Sequence, residues 1–206
     1  MSYKPILQGG KEILAMDIDE VVFPLVKEFC VWHNQEYGTL YVPEDFHSYE
    51  FNDVLGTDIP ETVHRVHTFL GQEHGHKGVT PIDDAVYGVH RLSEEFHIKP
   101  VTARHPGFRL VTEEYLDEFF GDVFHEVTLV GHAATMDILK TKADVCVEVG
   151  ARGIIDDSIV HVTGGVERGL DGILLGKYTW NQSNDLHPKI VRCENWGRVL
   201  VHYGLE

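Results

Sequence analysis

Apolar runs alternate with amphipathic segments along the chain, and the first apolar run has the most specific ending. Ile13 to Met16 is continuously apolar and leads into Asp17 and Asp19, two acids separated by Ile18. A short run of this kind predicts a buried parallel strand, and open α/β sheets bind their ligands at the carboxyl ends of such strands. We therefore expect both acids at one edge of a sheet, beside a ligand.

From residue 83 onward, the pattern of apolar positions predicts a regular alternation of helices and strands. Helices are predicted where apolar residues recur every three or four positions, and strands where short apolar runs lie between them. The predicted strands are Ile98 to Ala103, Glu126 to Val130, Gly153 to Ile155 and a final strand over Gly172 to Gly176. The predicted helices are one capped by Asp83 or Asp84 with Val86, Val89, Leu92 or Ser93, and Phe96 on one face, one with Phe108, Val111, Tyr115 and Phe119 on one face, one ending at Gly150 and a closing helix near Trp196 to Val201. This alternation predicts an α/β fold with a Rossmann-like, doubly wound parallel sheet.

The segment between the first strand and residue 83 has a different character. It is rich in aromatic residues and interrupted by glycine and proline, with helical patterns over Phe23 to Tyr37 and Glu61 to Leu70. No second strong strand is predicted in this segment. We expect a small helical cap over residues 24–82, inserted into a core made of residues 1–23 and 83–206.

Composition narrows the class of protein. At 206 residues with 43% hydrophobic content, the chain can bury the core of one domain with a modest insertion. The formal net charge of −16 argues against a nucleic acid polymer as partner. The 3 cysteines are scattered, which favours a reduced, cytoplasmic protein, and no apolar run is long enough to suggest a membrane partner.

Asp17 and Asp19 would repel each other at the end of one strand unless a cation lies nearby. Magnesium binds through one or two protein carboxylates and shares the rest of its coordination shell with water and phosphate oxygens. The pair therefore favours Mg²⁺ as cofactor and phosphate chemistry as function. The pair alone leaves a solvated acidic turn open as the alternative.

Three later segments supply groups that phosphate chemistry needs. Thr102 ends a predicted strand, where its hydroxyl and the N–H of Ala103 could hold a phosphate oxygen. Lys142 follows a predicted N-cap threonine, and a cation in the first turn of a helix is unfavourable unless an anion binds there. Asp156 and Asp157 again follow an apolar run. Strand ends in a doubly wound sheet share one crevice, so we expect these residues to converge.

Each of these residues also has an ordinary structural interpretation. Thr102 could be a β-branched strand residue, Lys142 a solvated surface lysine, and Asp157 or Ser158 a helix N-cap. Arg104 could touch phosphate or be an exposed arginine in a turn. Their occurrence together and in this order favours the functional interpretation.

The two acids that follow the first strand are predicted to have different catalytic roles. Asp17 is suited to attack phosphorus, because a carboxylate is ionised at neutral pH and can form an acyl phosphate. Asp19 could protonate the leaving oxygen and then deprotonate the hydrolytic water.

Taken in order, these residues resemble the motifs of the haloacid dehalogenase-like (HAD) superfamily of phosphohydrolases over residues 12–182. The resemblance implies that the nucleophile is Asp17, the acid/base is Asp19 with its backbone carbonyl on Mg²⁺, the phosphate ligands are Thr102 and Lys142, and the further metal ligand is Asp157 with Asp156 as its neighbour. The helical insertion is similar to a C1-type cap.

Residues 142–158 and 178–182 are similar to the 5'(3')-deoxyribonucleotidase-like branch of that superfamily. This branch implies hydrolysis of deoxynucleoside monophosphates through an aspartyl-phosphate. Glu20 departs from the branch, which usually carries glycine there, and it places a side chain and a negative charge beside the metal. Five aromatic residues of the cap could stack on a base or form the cap's own core: Trp32, Phe46, Tyr49, Phe51 and Phe69.

Two other functions remain open at this point. One keeps the site but changes the substrate to a sugar phosphate or another small phosphate ester. The other is a non-catalytic phosphate-binding or receiver-like module, against which the long insertion argues. A homodimer is the assembly that we keep open.

Overall fold

The computed structural model describes residues 3–72, 76–124, 126–131 and 140–206. The strands are β1 Leu7–Gln8, β2 Lys11–Met16, β3 Phe96–Thr102, β4 Thr128–Leu129, β5 Ala151–Asp156, β6 Asp171–Leu175 and β7 Ile190–Cys193. The helices are α1 Leu25–Tyr37, α2 Phe51–Leu55, α3 Ile59–Gly71, α4 Ala85–Glu95, α5 Arg109–Phe120, α6 Lys142–Glu148, α7 Ile159–Glu167 and α8 Trp196–Tyr203.

The strands form one mostly parallel sheet in the order β4-β3-β2-β5-β6-β7, with β1 paired antiparallel to the start of β2. The predicted α/β fold with a doubly wound parallel sheet is confirmed. Strand β2 is central and pairs with β3 on one side and β5 on the other. The carboxyl ends of these three strands therefore meet at one edge, which is where Asp17, Thr102 and Asp156 lie.

Several predicted elements differ from those in the structure. The sheet continues beyond β6, because β7 adds an edge strand, so the prediction of β6 as the final strand was wrong. Strand β7 is half exposed, and a half-exposed strand of four residues gives no apolar run to detect. Strand β4 has only two residues instead of the five predicted, and the predicted helix cap by Asp84 is absent because its side chain makes no cap hydrogen bond.

Along the chain, the helices α1, α2 and α3 all come after β2 and before α4. Their aromatic side chains pack around Phe29, whose ring centroid lies 5.4 Å from Phe51 and 5.8 Å from Phe69. Phe46 is fully buried and lies 4.8 Å from Phe51. This packing favours the interpretation that most of the aromatic residues of this segment form its own core. Among the helices of the described residues, none has the length and apolar character to span a bilayer.

Candidate active site

Asp17 is the first residue after the central strand. Its backbone N–H donates to the carbonyl of Ile155 on β5, which extends the parallel pairing and fixes the carboxylate at the sheet edge. The side chain is 4% exposed. Its Oδ2 lies 2.6 Å from Nζ of Lys142, whereas its Oδ1 is buried and has no hydrogen-bond partner among the residues that the structure describes. Burial raises the pKa of Asp17 to about 6, although Lys142 opposes this shift.

Lys142 is the first residue of α6, as the sequence predicts. Thr141 and Asp144 form the predicted capping box, with the Thr141 hydroxyl accepting the N–H of Asp144 at 3.1 Å. The lysine is buried, and its Nζ contacts Asp156 Oδ2 at 2.9 Å as well as Asp17. Burial alone would lower the pKa of Lys142, but the two carboxylates raise it well above its ordinary value. The lysine therefore pairs with the two carboxylates as a cation at neutral pH.

Asp156 is the last residue of β5 and Asp157 follows it, and the two have different partners. Asp156 is fully buried between Lys142 and the backbone N–H of Ser158, which donates to its Oδ1 at 2.8 Å. Asp157 Oδ2 accepts the indole N–H of Trp180 at 2.6 Å. Neither the side chain of Asp157 nor that of Ser158 caps α7, since no cap hydrogen bond occurs there. Burial raises the pKa of Asp157 well above its ordinary value, and the negative charge of the neighbouring Asp156 is the second largest cause.

These acids fit a divalent cation. One oxygen from each of Asp17, Asp156 and Asp157 lies within 4.8 Å of the others. Among the described residues, Lys142 forms ion pairs with two of these acids and no further ion pair reaches them, so one positive charge there faces three carboxylates. The buried, unpartnered Oδ1 of Asp17 would otherwise be costly, which indicates that a ligand normally reaches it. Oxygen donors of this kind suit Mg²⁺.

Asp19 lies beyond Asp17 and is held by Arg104. The guanidinium Nε lies 3.1 Å from Oδ1 and 3.0 Å from Oδ2, and Nη2 lies 2.6 Å from Oδ1. Arg104 is only 4% exposed, so it is not the exposed turn arginine that the sequence left open. Sequence reasoning missed this pairing, because a contact between residues 85 positions apart leaves no local pattern.

Thr102 and Ala103 follow each other at the end of β3. Thr102 is fully buried, and its hydroxyl oxygen accepts the backbone N–H of Arg104 at 3.3 Å. Ala103 lines the cavity in front of the acids, together with Asp17, Asp19 and Asp157. Thr102, Lys142 and Asp156 are buried and are not among the residues that line this cavity. The predicted site residues therefore form two layers, one facing the cavity and one behind it.

Glu20 occupies the position where the deoxyribonucleotidase-like branch usually carries glycine. Its φ is +57°, in the left-handed region that favours glycine, which explains the usual preference. Its side chain accepts the N–H of Val26 at 2.9 Å, and its carbonyl accepts the Tyr178 hydroxyl at 2.7 Å. Because α1 has no cap from its own N-cap residue, Glu20 satisfies a free N–H in its first turn. Burial raises the pKa of Glu20 well above its ordinary value.

The cavity has an acidic floor and an apolar wall. The wall comes from α1 and α3, which contribute Leu25, Val63 and Val66, and from the segment before α2, which contributes Tyr49. Trp180 also lines the cavity, and its ring stacks on Tyr178 with centroids 4.7 Å apart. The cavity can therefore receive a ligand with one anionic and one apolar end.

Asn181 fixes the loop that carries Trp180. Its side-chain amide donates to the carbonyl of Asp157 at 3.1 Å and to that of Leu175 at 3.1 Å, and the residue is fully buried. The sequence pattern gave no role to this residue by itself, because a lone asparagine in a loop is common.

Solved structures with the same fold are HAD-superfamily proteins. A haloacid dehalogenase-like hydrolase from Streptococcus pneumoniae has a TM-score of 0.66 and 13% identity, covering 93% of this chain and 97% of that one. A HAD hydrolase from Bacillus subtilis bound to magnesium has a TM-score of 0.63 and 13% identity, covering 99% and 100%. L-2-haloacid dehalogenase from Xanthobacter autotrophicus has a TM-score of 0.61 and 13% identity, covering 93% and 98%. A search of the curated proteins finds no match.

The model of one protein family matches residues 11–199, which is most of the chain. That family is described as 5' nucleotidase, deoxy (pyrimidine), cytosolic type C protein (NT5C). The match confirms the predicted resemblance to HAD phosphohydrolases and to their nucleotidase branch. It supports a phosphoric monoester hydrolase over a receiver-like module. The chain therefore belongs to the NT5C family of HAD-superfamily phosphatases.

Proposed function

We propose that this protein is a Mg²⁺-dependent phosphomonoesterase that hydrolyses nucleoside monophosphates through a phosphorylated Asp17. One observation carries the proposal: at the floor of a cavity, Asp17 has one oxygen paired with Lys142 and the other buried without a partner in the described part of the chain. A carboxylate fixed in this way presents its free oxygen to a ligand. Family membership supports the substrate class, and the word cytosolic in the family's description supports a cytoplasmic location.

In the first half-reaction, Asp17 Oδ1 attacks the phosphorus atom of the monoester. A P–O bond forms to Asp17 and the P–O bond to the alcohol breaks, while Asp19 gives its proton to the leaving oxygen. Lys142 neutralises the second oxygen of Asp17 and thereby keeps the nucleophile close to the incoming phosphate. The N–H of Ala103, which lines the cavity, would hold a phosphate oxygen, with Thr102 buried directly behind it.

In the second half-reaction, water attacks the phosphorus atom of the aspartyl-phosphate. Asp19 takes a proton from this water, inorganic phosphate leaves, and the Asp17 carboxylate is restored. Bound Mg²⁺, held by Asp17, Asp157 and the carbonyl of Asp19 with Asp156 behind them, would supply positive charge to the phosphate.

We also propose that residues 24–82 act as the cap over this reaction. The aliphatic wall formed by Leu25, Val63 and Val66 is better suited to the apolar face of a nucleoside than to a sugar, which carries hydroxyl groups around its ring. Tyr49 and Trp180, at the same cavity, could contact a base through their rings.

The test is phosphate release from a panel of monoesters, with Mg²⁺ or with EDTA. The panel includes 5'- and 3'-deoxynucleotides, ribonucleotides and sugar phosphates. We expect Mg²⁺-dependent release that is fastest with nucleotides and lost in Asp17→Asn, while the exposed control Asp185→Asn keeps full activity. Preference for sugar phosphates would overturn the substrate class, and full activity of Asp17→Asn would overturn the mechanism.

A further inference from the structure

Arg104 has more partners around its guanidinium than charge neutralisation of one acid requires. It contacts both oxygens of Asp19, at 3.0 and 3.1 Å from Nε and at 2.6 Å from Nη2. Its Nη1 lies 3.1 Å from the hydroxyl of Thr112 and 2.8 Å from Nε2 of His76. The guanidinium carbon lies 4.7 Å from the centroid of the Phe23 ring. The plane of the guanidinium is therefore fixed from three sides.

These contacts leave little of Arg104 for a substrate. They use one N–H from Nε, two from Nη1 and at least one from Nη2, out of the five that a guanidinium carries. The Arg104 side chain is 1% exposed, whereas that of Asp19 is 20% exposed and faces the cavity. Both residues line the cavity, but the larger exposed fraction of the Asp19 side chain makes the acid the group that a substrate reaches more readily.

The arrangement favours orientation of Asp19 as the role of Arg104. A carboxylate on a short side chain can rotate, and proton transfer requires its oxygen at hydrogen-bond distance from the leaving oxygen. A planar fork that contacts both oxygens restricts this rotation, and a lysine cannot do so, because it is a point charge. Thr112 and His76 hold the fork itself in place.

We propose that Arg104 is a positioning residue that orients Asp19 for proton transfer to the leaving oxygen. The inference rests on the proposed function, since it assigns a task within that reaction. It predicts that loss of the fork slows only those substrates whose leaving oxygen needs a proton. The p-nitrophenolate ion leaves without one, whereas the phenolate ion of phenyl phosphate is far more basic and benefits from one.

The test compares kcat/KM for phenyl phosphate and p-nitrophenyl phosphate in the wild type and in Arg104→Lys, which keeps the charge. We expect kcat/KM to fall roughly 100-fold for phenyl phosphate and less than about 5-fold for p-nitrophenyl phosphate. Arg152→Lys is the matched control, because Arg152 forms ion pairs with acids, Glu12 and Asp171, that do not line the cavity. It should leave both values unchanged.

A double-mutant cycle with Asp19→Asn tests whether the effect passes through Asp19. In that background, Arg104→Lys should cause no further change in the preference between the two substrates. Thr112→Val removes one support of the fork and keeps the contact with Asp19, so it should produce a smaller change in the same direction. This variant also keeps the test open if Arg104→Lys does not fold.

The outcomes separate this inference from the proposed function. An equal loss on both substrates, no loss on either, or a full additional loss in the Asp19→Asn background would overturn the positioning role while leaving the phosphatase assignment intact. A wild-type protein that hydrolyses no phosphomonoester would overturn both.

Discussion

Glu20 illustrates how one residue can compensate for an unfavourable backbone. Its left-handed φ of +57° is strained for a side chain, yet its carboxylate accepts the Val26 N–H in the first turn of α1, whose N-cap residue Pro24 makes no side-chain cap hydrogen bond. The sequence identified Glu20 as the departure from the family pattern. It could not reveal the compensating contact, because that contact depends on where α1 begins.

We expect Glu20→Ala to lower the free energy of unfolding by about 1 kcal/mol, the usual cost of losing an N-cap. Glu20→Gln keeps an acceptor for the Val26 N–H and removes a buried acid whose pKa is raised by burial, so it should be at least as stable as the wild type at pH 7.5. Urea unfolding measures both. Glu36→Ala, at an exposed position, is the control and should change the free energy by less than about 0.5 kcal/mol. Equal loss in the Ala and Gln variants would contradict the capping role.

His76 gives a prediction about pH. Burial, followed by the Arg104 guanidinium, lowers the pKa of His76 to about 3 from its ordinary value of 6.5. Below pH 6.5 the unfolded chain therefore binds a proton that the folded protein does not bind, and stability is lost as the pH falls. His76→Gln keeps an acceptor for Arg104 without titrating.

We expect wild-type stability relative to His76→Gln to fall by at most about 2 kcal/mol between pH 7.5 and pH 5. Denaturant unfolding of both proteins at the two pH values measures this difference. A difference that is the same at both pH values would show that His76 can be protonated in the folded protein.

At the scale of elements, the short helix α6 delivers Lys142 to two acids, Asp17 and Asp156. Its capping box was predictable, because the threonine and the acid three residues later form a local pattern. The same holds for β2 and β5, whose apolar runs end in acids. Strand β7 and the loop around Asn181 were not predictable, because their positions depend on pairing and hydrogen bonds between distant residues.

Removing the buried cation should destabilise the protein more than removing an exposed one. Lys142→Met leaves Asp17 and Asp156 buried without their shared partner, and we expect a loss of about 3 kcal/mol or more in EDTA, partly restored by Mg²⁺. Lys140→Met is the matched control. Lys140 forms an exposed ion pair with Glu148 at 2.8 Å, and its loss should cost less than about 1 kcal/mol. Urea unfolding that gives similar losses for both variants would contradict the role assigned to Lys142.

For the whole molecule, the fold class and most residues of the candidate site could be predicted from the sequence. The acids after strands, the threonine at a helix N-cap and the periodic spacing of apolar residues are all local signals. The sequence predicted that Asp17, Lys142 and Asp156 converge at one sheet edge, and in the structure Lys142 contacts both acids directly. The layering of these residues, with Lys142 and Thr102 behind the acids, required the packed structure.

A shared metal site predicts that Mg²⁺ stabilises the folded protein. At a concentration of 100 times Kd, the gain is about 2.7 kcal/mol, which corresponds to a rise in Tm of roughly 5 to 10 °C for a chain of this size. Asp157→Asn should abolish most of this rise, while the exposed Asp185→Asn should retain it. Thermal unfolding with Mg²⁺ and with EDTA measures the shift. A rise in Tm that persists in Asp157→Asn would show that Mg²⁺ binds at another site.

The central claim is that Asp17 carries the phosphoryl group between the two half-reactions. The direct measurement is rapid acid quenching of the enzyme during turnover with a hydrolysed monoester and Mg²⁺, followed by mass spectrometry of the peptide that contains Asp17. The account predicts a phosphate adduct on Asp17 that forms with substrate, decays when substrate is exhausted and is absent in Asp17→Asn. An adduct on another residue, or undiminished hydrolysis by Asp17→Asn, would contradict it.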